Sequence, residues 1–166
     1  MPRVDLQCEL IPQPFVASKS PEILQENART ALSLLGIKSG SRGFSLVCDE
    51  TAWFATLDLI SGLQPSLGYV GGYFTQEPDQ KDFSFLTLEE MRESNDDHIA
   101  RLSQHYLLSR TDSNHHTWCI DILPRPSKKT GLKANSAENV FVEMGRVLEC
   151  VAAGNRGVPP INIAFD

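Results

Sequence analysis

The sequence predicts an α/β protein built on a mixed sheet with a βαβ crossover, and three consecutive segments carry that expectation. Residues 117–123 alternate, with Trp118, Ile120 and Ile122 on one side, and Pro124 and Pro126 end the strand. Val140, Phe141, Met144, Val147, Leu148 and Val151 recur at three- and four-residue spacing, the mark of an amphipathic helix, which Gly154 stops. Residues 161–165 then read as a short apolar strand. Strand, helix and strand in that order make a crossover whose two strands run parallel and whose connection is right-handed.

The elements before the crossover follow from local chemistry. Residues 1–19 contain Pro2, Pro12 and Pro14 without sustained periodicity and are expected to form an arm. Ser20 caps a helix over 21–35: Pro21 fits the first helical position, Ile23, Leu24, Ala28, Ala31, Leu32 and Leu35 form a stripe, and Gly36 is the stop. The run from Phe44 to Cys48 reads as a buried strand that ends on Asp49 and Glu50. Residues 53–60 fit helix and strand equally. A turn at 62–66 precedes a second strand over 67–74, in which Gly68, Gly71 and Gly72 suggest a bulge or a close backbone approach. Thr87 with Glu90 forms a capping box that opens a helix at Leu88, expected to reach about Leu107. Residues 125–134 form an exposed loop before the long helix.

Length and composition bound the function classes. The chain has 166 residues, enough for one domain with a real core, and its 41% apolar and 22% charged residues are those of an ordinary globular protein. No run approaches a membrane span, and the first residues lack a signal-peptide pattern, so an intracellular protein, nuclear or cytoplasmic, with no membrane partner is expected. Cys8, Cys48, Cys119 and Cys150 are widely spaced, which suits free thiols in a reducing compartment. The net charge of −6 does not support a dedicated nucleic-acid-binding module, because phosphate neutralisation needs concentrated Lys and Arg. It leaves room for a nuclease core whose carboxylates hold cations.

Chemistry is expected at two carboxylates that each close an apolar strand: Asp49 in Ser-Leu-Val-Cys-Asp-Glu and Asp166 in Ile-Asn-Ile-Ala-Phe-Asp. Ligands of open α/β sheets collect at the C-terminal strand ends. Two carboxylates a few ångströms apart repel unless a proton or a divalent cation lies between them, so the pair suits Mg²⁺ or Mn²⁺ and two-metal phosphoryl transfer. A strand ending in Asp-Glu, a Gly-rich second strand, a third strand, a long amphipathic helix and a fourth strand ending in Asp resemble the RNase H-like catalytic core of P-element-type transposases. The resemblance spans residues 43–166. It implies that the first and fourth strands lie side by side, each with one metal-binding aspartate, Asp49 and Asp166. Glu50, next to Asp49, is a candidate for a further metal-binding carboxylate.

The same resemblance divides the chain into an arm and helix over 1–42 and an RNase H-like core over 43–166, interrupted by an insertion at about 75–116. The family's third acid falls later in the chain than Asp166, so the core is expected to be incomplete at its C-terminus and inactive as this fragment. Glu138 and Glu143 on the long helix are the nearest substitutes. Arg125, Lys128, Lys129 and Lys133 lie in one loop, where they can touch a nucleic-acid backbone. A catalytically inactive, transposase-derived interaction domain with a protein partner is the alternative, with the acidic stretch around Asp96 and Asp97 as its contact surface.

Other chemistries lack their signatures. His115, His116 and Cys119 do not supply the four ligands of a closed zinc site. Gly68 to Gly72 lacks dinucleotide-binding spacing, and no Gly-x-Ser-x-Gly elbow occurs. Trp53, Trp118, Phe141 and Phe165 are read as core aromatics.

Overall fold

The structure is a computed structural model that describes residues 20–52, 58–64, 67–71, 102–112, 116–125 and 137–165. In chain order the elements are α1 (Pro21–Leu34), β1 (Phe44–Ala52), β2 (Asp58–Gln64), β3 (Leu67–Gly71), β4 (Leu102–Arg110), β5 (Thr117–Arg125), α2 (Ala137–Gly154) and β6 (Asn162–Phe165). The chain forms two compact units. One comprises residues 1–50, 104–123 and 141–166, and the other residues 51–103 and 124–140.

The first unit is organised by a four-stranded sheet in the order β5-β4-β1-β6. β1 and β6 pair in parallel, with Ser45 opposite Asn162 and Cys48 opposite Phe165. The Thr111 amide, just past the end of β4, donates to the Gly43 carbonyl, just before β1, at 3.0 Å. β4 therefore runs antiparallel to β1. Only residues 111–116 join β4 to its neighbour β5, a connection short enough for an antiparallel pair alone. The sheet is thus mixed, with β5, β1 and β6 running one way and β4 the other.

The helices begin and end where their sequences dictate. The Ser20 hydroxyl accepts from the Ile23 amide and Pro21 occupies the first turn. At the C-terminus the Ile37 amide donates to the Leu32 carbonyl and the Gly36 amide to the Ser33 carbonyl, a Schellman motif that needs the left-handed backbone Gly36 provides at φ 70°. α2 ends at Gly154, but the left-handed backbone that turns the chain is at Arg156 and Gly157, φ 54° and 83°, where the Gly157 amide donates to the Ala152 carbonyl at 2.7 Å. Gly154 serves packing: a Cβ there would sit 2.8 Å from the Gln25 carbonyl oxygen, so only glycine lets α2 approach α1 this closely.

Alternation in the strands and stripes on the helices meet in one core. Phe44, Leu46 and Cys48 of β1, Tyr106 and Leu108 of β4, and Trp118 and Ile120 of β5 pack with Leu24, Ala28, Ala31, Leu32 and Leu35 and with Met144, Val147, Cys150 and Val151. Burying a side chain the size of Leu or Phe is worth about 1.5–3 kcal/mol, so this cluster supplies the main drive for folding. Two buried asparagines tie the backbone around it. Asn27 Nδ2 donates to the Ile120 carbonyl at 2.9 Å. Asn155 accepts from the Gly40 amide at 2.8 Å and donates to the Ser41 and Val158 carbonyls at 3.0 Å each.

The second unit contains the hairpin of β2 and β3, which pair antiparallel with Ser61 opposite Gly68 and Gln64 opposite Leu67. The register shifts between those two pairs, and the extra residues, Gly62 and Leu63, belong to β2 and not to the glycine-rich strand.

Several expectations need correction. The helix from Leu88 to about Leu107 cannot extend past residue 101, because residues 102–110 are β4, an inner strand of the sheet. Leu102, Tyr106 and Leu107 mimic helical spacing, but Tyr106 and Leu108 alternate into the core, and strand pairing overrides the local pattern. The glycine-rich segment pairs with β2 and is not a member of the four-stranded sheet. β1 continues to Ala52, so Asp49 and Glu50 lie within the strand and do not end it. β5 runs through Pro124, which is tolerated because β5 is an edge strand and can spare a backbone donor. β5 and β6 are parallel, as expected of the crossover, but occupy opposite edges of the sheet. Phe141 and Phe165 are not core aromatics: they are 79% and 69% exposed. Phe141 precedes the first buried residue of α2, Met144, and Phe165 closes an edge strand. Trp118 is buried as expected, whereas Trp53 and the helix start at Leu88 lie outside the described residues.

Candidate functional site

Asp49 is held on an inner strand, with β4 on one side of β1 and β6 on the other. Along β1, Phe44, Leu46 and Cys48 point into the core, so Ser45, Val47 and Asp49 occupy the opposite, half-buried face. Glu50 is exposed and belongs to the Cys48 side of the strand. It does not share a face with Asp49.

The partner of Asp49 across β1 and β4 follows from the register. Six residues beyond Gly43 is Asp49, and six residues before Thr111 is His105, so the two stand opposite each other. The same count places Leu46 opposite Leu108 and Cys48 opposite Tyr106, all of them core residues. Electrostatics agrees with the register. Burial lowers the pKa of the His105 imidazole, and the Asp49 carboxylate pulls it partly back up. Sequence reasoning missed His105 because it fell within an expected helix, and a cross-strand neighbour cannot be recognised until the strand is.

On the other side of β1, the last described pair is Cys48 with Phe165, one residue short of Asp49. Asp166 lies outside the described residues, as do Lys128, Lys129, Lys133 and Glu138's side chain. Arg125 is the last residue of β5. Among the described residues no group of three or more His, Cys, Asp or Glu side chains is arranged to hold a metal ion. The donors that suit a hard divalent cation at this place are the Asp49 carboxylate oxygens, and the residue opposite them, His105, carries an imidazole.

A second ionisable group of residues lies apart from Asp49. Asp121 of β5 is fully buried, and its Oδ2 accepts from Arg146 Nη2 of α2 at 2.9 Å. Arg146 also binds Glu143 on the next turn, with Nη2 to Oε1 at 2.5 Å and Nε to Oε1 at 3.0 Å. Asp121 Oδ1 and Arg146 Nη1 are buried, and neither makes a hydrogen bond of full geometry among the described residues. Burial pushes the Asp121 carboxyl up to about 7, although Arg146 opposes the rise. Glu143 is therefore engaged with Arg146 and is not a substitute third acid.

This raised pKa makes stability pH-dependent. A carboxyl whose folded pKa lies above its unfolded value of 3.8 binds more protons in the folded state, so its contribution falls as pH rises from about 4 to about 7. Urea denaturation across that window is expected to show a shallower loss of stability in Asp121→Asn than in the wild type. Parallel curves would place the ionised carboxylate in an environment as favourable as water.

Two clefts are lined by described residues of the first unit. One, of about 300 Å³, is lined by Leu34, Leu35, Arg110, Asp112 and His116. Its guanidinium is already committed: Arg110 donates to both oxygens of Asp112, at 2.7 and 2.6 Å, and to the Leu35 carbonyl at 3.0 Å. The other, of about 380 Å³, lies where α1 and α2 end, and Arg29, Lys38 and Asn155 are among its residues. Cys48 and Cys150 are buried free thiols, and Cys119 is half-buried. Burial pushes the Cys48 thiol up to about 11, and its Sγ lies 3.7 Å from Met144 Sδ, so it is a packing group and not a nucleophile.

The chain is at this level an α/β protein, with a four-stranded mixed sheet and two helices among the described residues. No helix among the described residues is long and apolar enough to cross a membrane. Comparison with protein-family models, with curated proteins and with solved structures finds no match.

Proposed function

We propose that this chain is an RNase H-like, transposase- or nuclease-type core that uses Asp49 and Asp166 to hold Mg²⁺ or Mn²⁺ for phosphodiester chemistry on nucleic acid. The observation that carries the reading is the parallel pairing of β1 with β6 in the register Cys48 opposite Phe165. A carboxylate one residue beyond Phe165 in that register would stand beside Asp49. The strand order supports the same reading, because the first and fourth strands of the sheet are neighbours, the relation the resemblance requires.

In this reading a bound divalent cation supplies the Lewis acid that activates water or a 3′-hydroxyl and stabilises the leaving oxygen. The chain's part is to place two carboxylates on adjacent strands, where β1 is fixed from both sides and cannot shift. Arg125, Lys128, Lys129 and Lys133 would contact the phosphate backbone, offsetting locally the overall charge of −6.

A second reading, a catalytically inactive interaction domain, is favoured by one feature. Ile161, Ile163 and Phe165 are 57%, 37% and 69% exposed along the edge strand, a surface that suits a protein partner.

The readings differ in whether Asp49 binds metal. Titration calorimetry with Mn²⁺ is expected to show saturable binding in the wild type, and Asp49→Asn is expected to weaken it more than about tenfold, or about 1.4 kcal/mol, at an unchanged melting temperature. Equal affinity in the two proteins would remove the metal reading and leave the interaction domain.

A further inference from the structure

We infer that His105 is a ligand of the same cation as Asp49, so that the site selects Mn²⁺ over Mg²⁺. The inference rests on the metal reading of Asp49 and adds to it the identity of a further ligand and the class of cation. The geometry of the sheet carries it. His105 lies opposite Asp49 across neighbouring antiparallel strands, on the face of the sheet turned away from α1 and α2. Side chains directly opposite in such a pair have Cβ atoms about 4.5–5.5 Å apart, a spacing that one cation can bridge from a carboxylate and an imidazole.

The chemistry of the donor set sets the preference. Mg²⁺ demands oxygen ligands in a tight octahedron and gives up water reluctantly, whereas imidazole nitrogen suits later first-row metals and is accepted by Mn²⁺. A site of carboxylates alone would take either cation. A carboxylate with an imidazole across the strand favours Mn²⁺.

The test uses the full chain and two readouts. Calorimetric titrations with Mn²⁺ and with Mg²⁺ are made on the wild type, Asp49→Asn and His105→Ala, and pulsed electron paramagnetic resonance is recorded on bound Mn²⁺. The wild type is expected to bind Mn²⁺ more than about tenfold more tightly than Mg²⁺ and to show nitrogen modulation from imidazole. His105→Ala is expected to lose the modulation and most of the preference while keeping Mg²⁺ affinity, and Asp49→Asn to lose both metals. If Asp49→Asn loses both metals but the wild type shows no nitrogen modulation and no preference, His105 is not a ligand and the metal reading stands. If Asp49→Asn keeps both affinities, the metal reading fails and this inference fails with it. Should His105→Ala not fold, the modulation in the wild type decides alone.

Discussion

Arg146→Ala is expected to lower the free energy of unfolding by about 3–5 kcal/mol near neutral pH, the cost typical of leaving one member of a buried ion pair alone. The Asp121 carboxylate is fully buried, and Arg146 is the residue that neutralises it, through a 2.9 Å bond from Nη2 to Oδ2. Without the guanidinium the buried carboxyl must take up a proton at neutral pH, and Glu143 on the next turn of α2 is released. The cost of that protonation grows with pH, since the carboxyl, already pushed up to about 7, has lost the opposing pull of Arg146. Replacing both partners together, Asp121→Leu with Arg146→Met, should recover most of the loss, because a well-packed apolar pair carries no desolvation cost. Urea denaturation at pH 7 measures both. A loss below about 1 kcal/mol for Arg146→Ala would mean that solvent reaches Asp121 and that the pair is worth no more than a surface one.

The second large effect is expected at Asn155, where alanine should cost about 2–4 kcal/mol, from three hydrogen bonds worth roughly 1 kcal/mol each together with unsatisfied groups left behind. Its side chain accepts from Gly40 and donates to Ser41 and Val158, so one amide joins the end of α2 to the loop that leads into β1 and to the chain that leads into β6. Those two strands form the parallel pair on which the candidate site depends. Asn155→Ala should therefore loosen the site as well as the fold, and Mn²⁺ affinity is expected to fall with stability. A variant that melts normally would show that the backbone turns at 38–43 and 155–158 hold without the side chain.

Much of the fold was legible because it is written locally. Ser20 with Pro21 marks the start of α1, Gly36 supplies the left-handed stop, and the stripe from Met144 to Val151 faces the core as its spacing requires. The alternation around Ile120 gave β5, although an edge position let the strand run through Pro124. β4 was not legible, because Leu102, Tyr106 and Leu107 fit a helix as well as a strand until pairing with β1 and β5 decides between them. That single error hid His105, the residue opposite Asp49. The Asp121–Arg146 pair was hidden for a related reason, since its partners are distant in sequence and meet only when α2 packs on the sheet. Asp49 was found from its place after an apolar run, which is a local signal, while Glu50 was drawn in by adjacency and lies on the other face of β1. Side chains one residue apart on a strand cannot share a site on one face.

The most direct test of the metal reading is a crystal structure of the protein soaked in Mn²⁺, read for the position of the ion and for the separation of the Asp49 and Asp166 carboxylates. The account predicts an ion bound to an Asp49 oxygen, with the two carboxylates within about 6 Å of each other. Carboxylates directed to separate regions of the sheet, with no ion at Asp49, would contradict it and leave the exposed edge of β6 as the place to look for function.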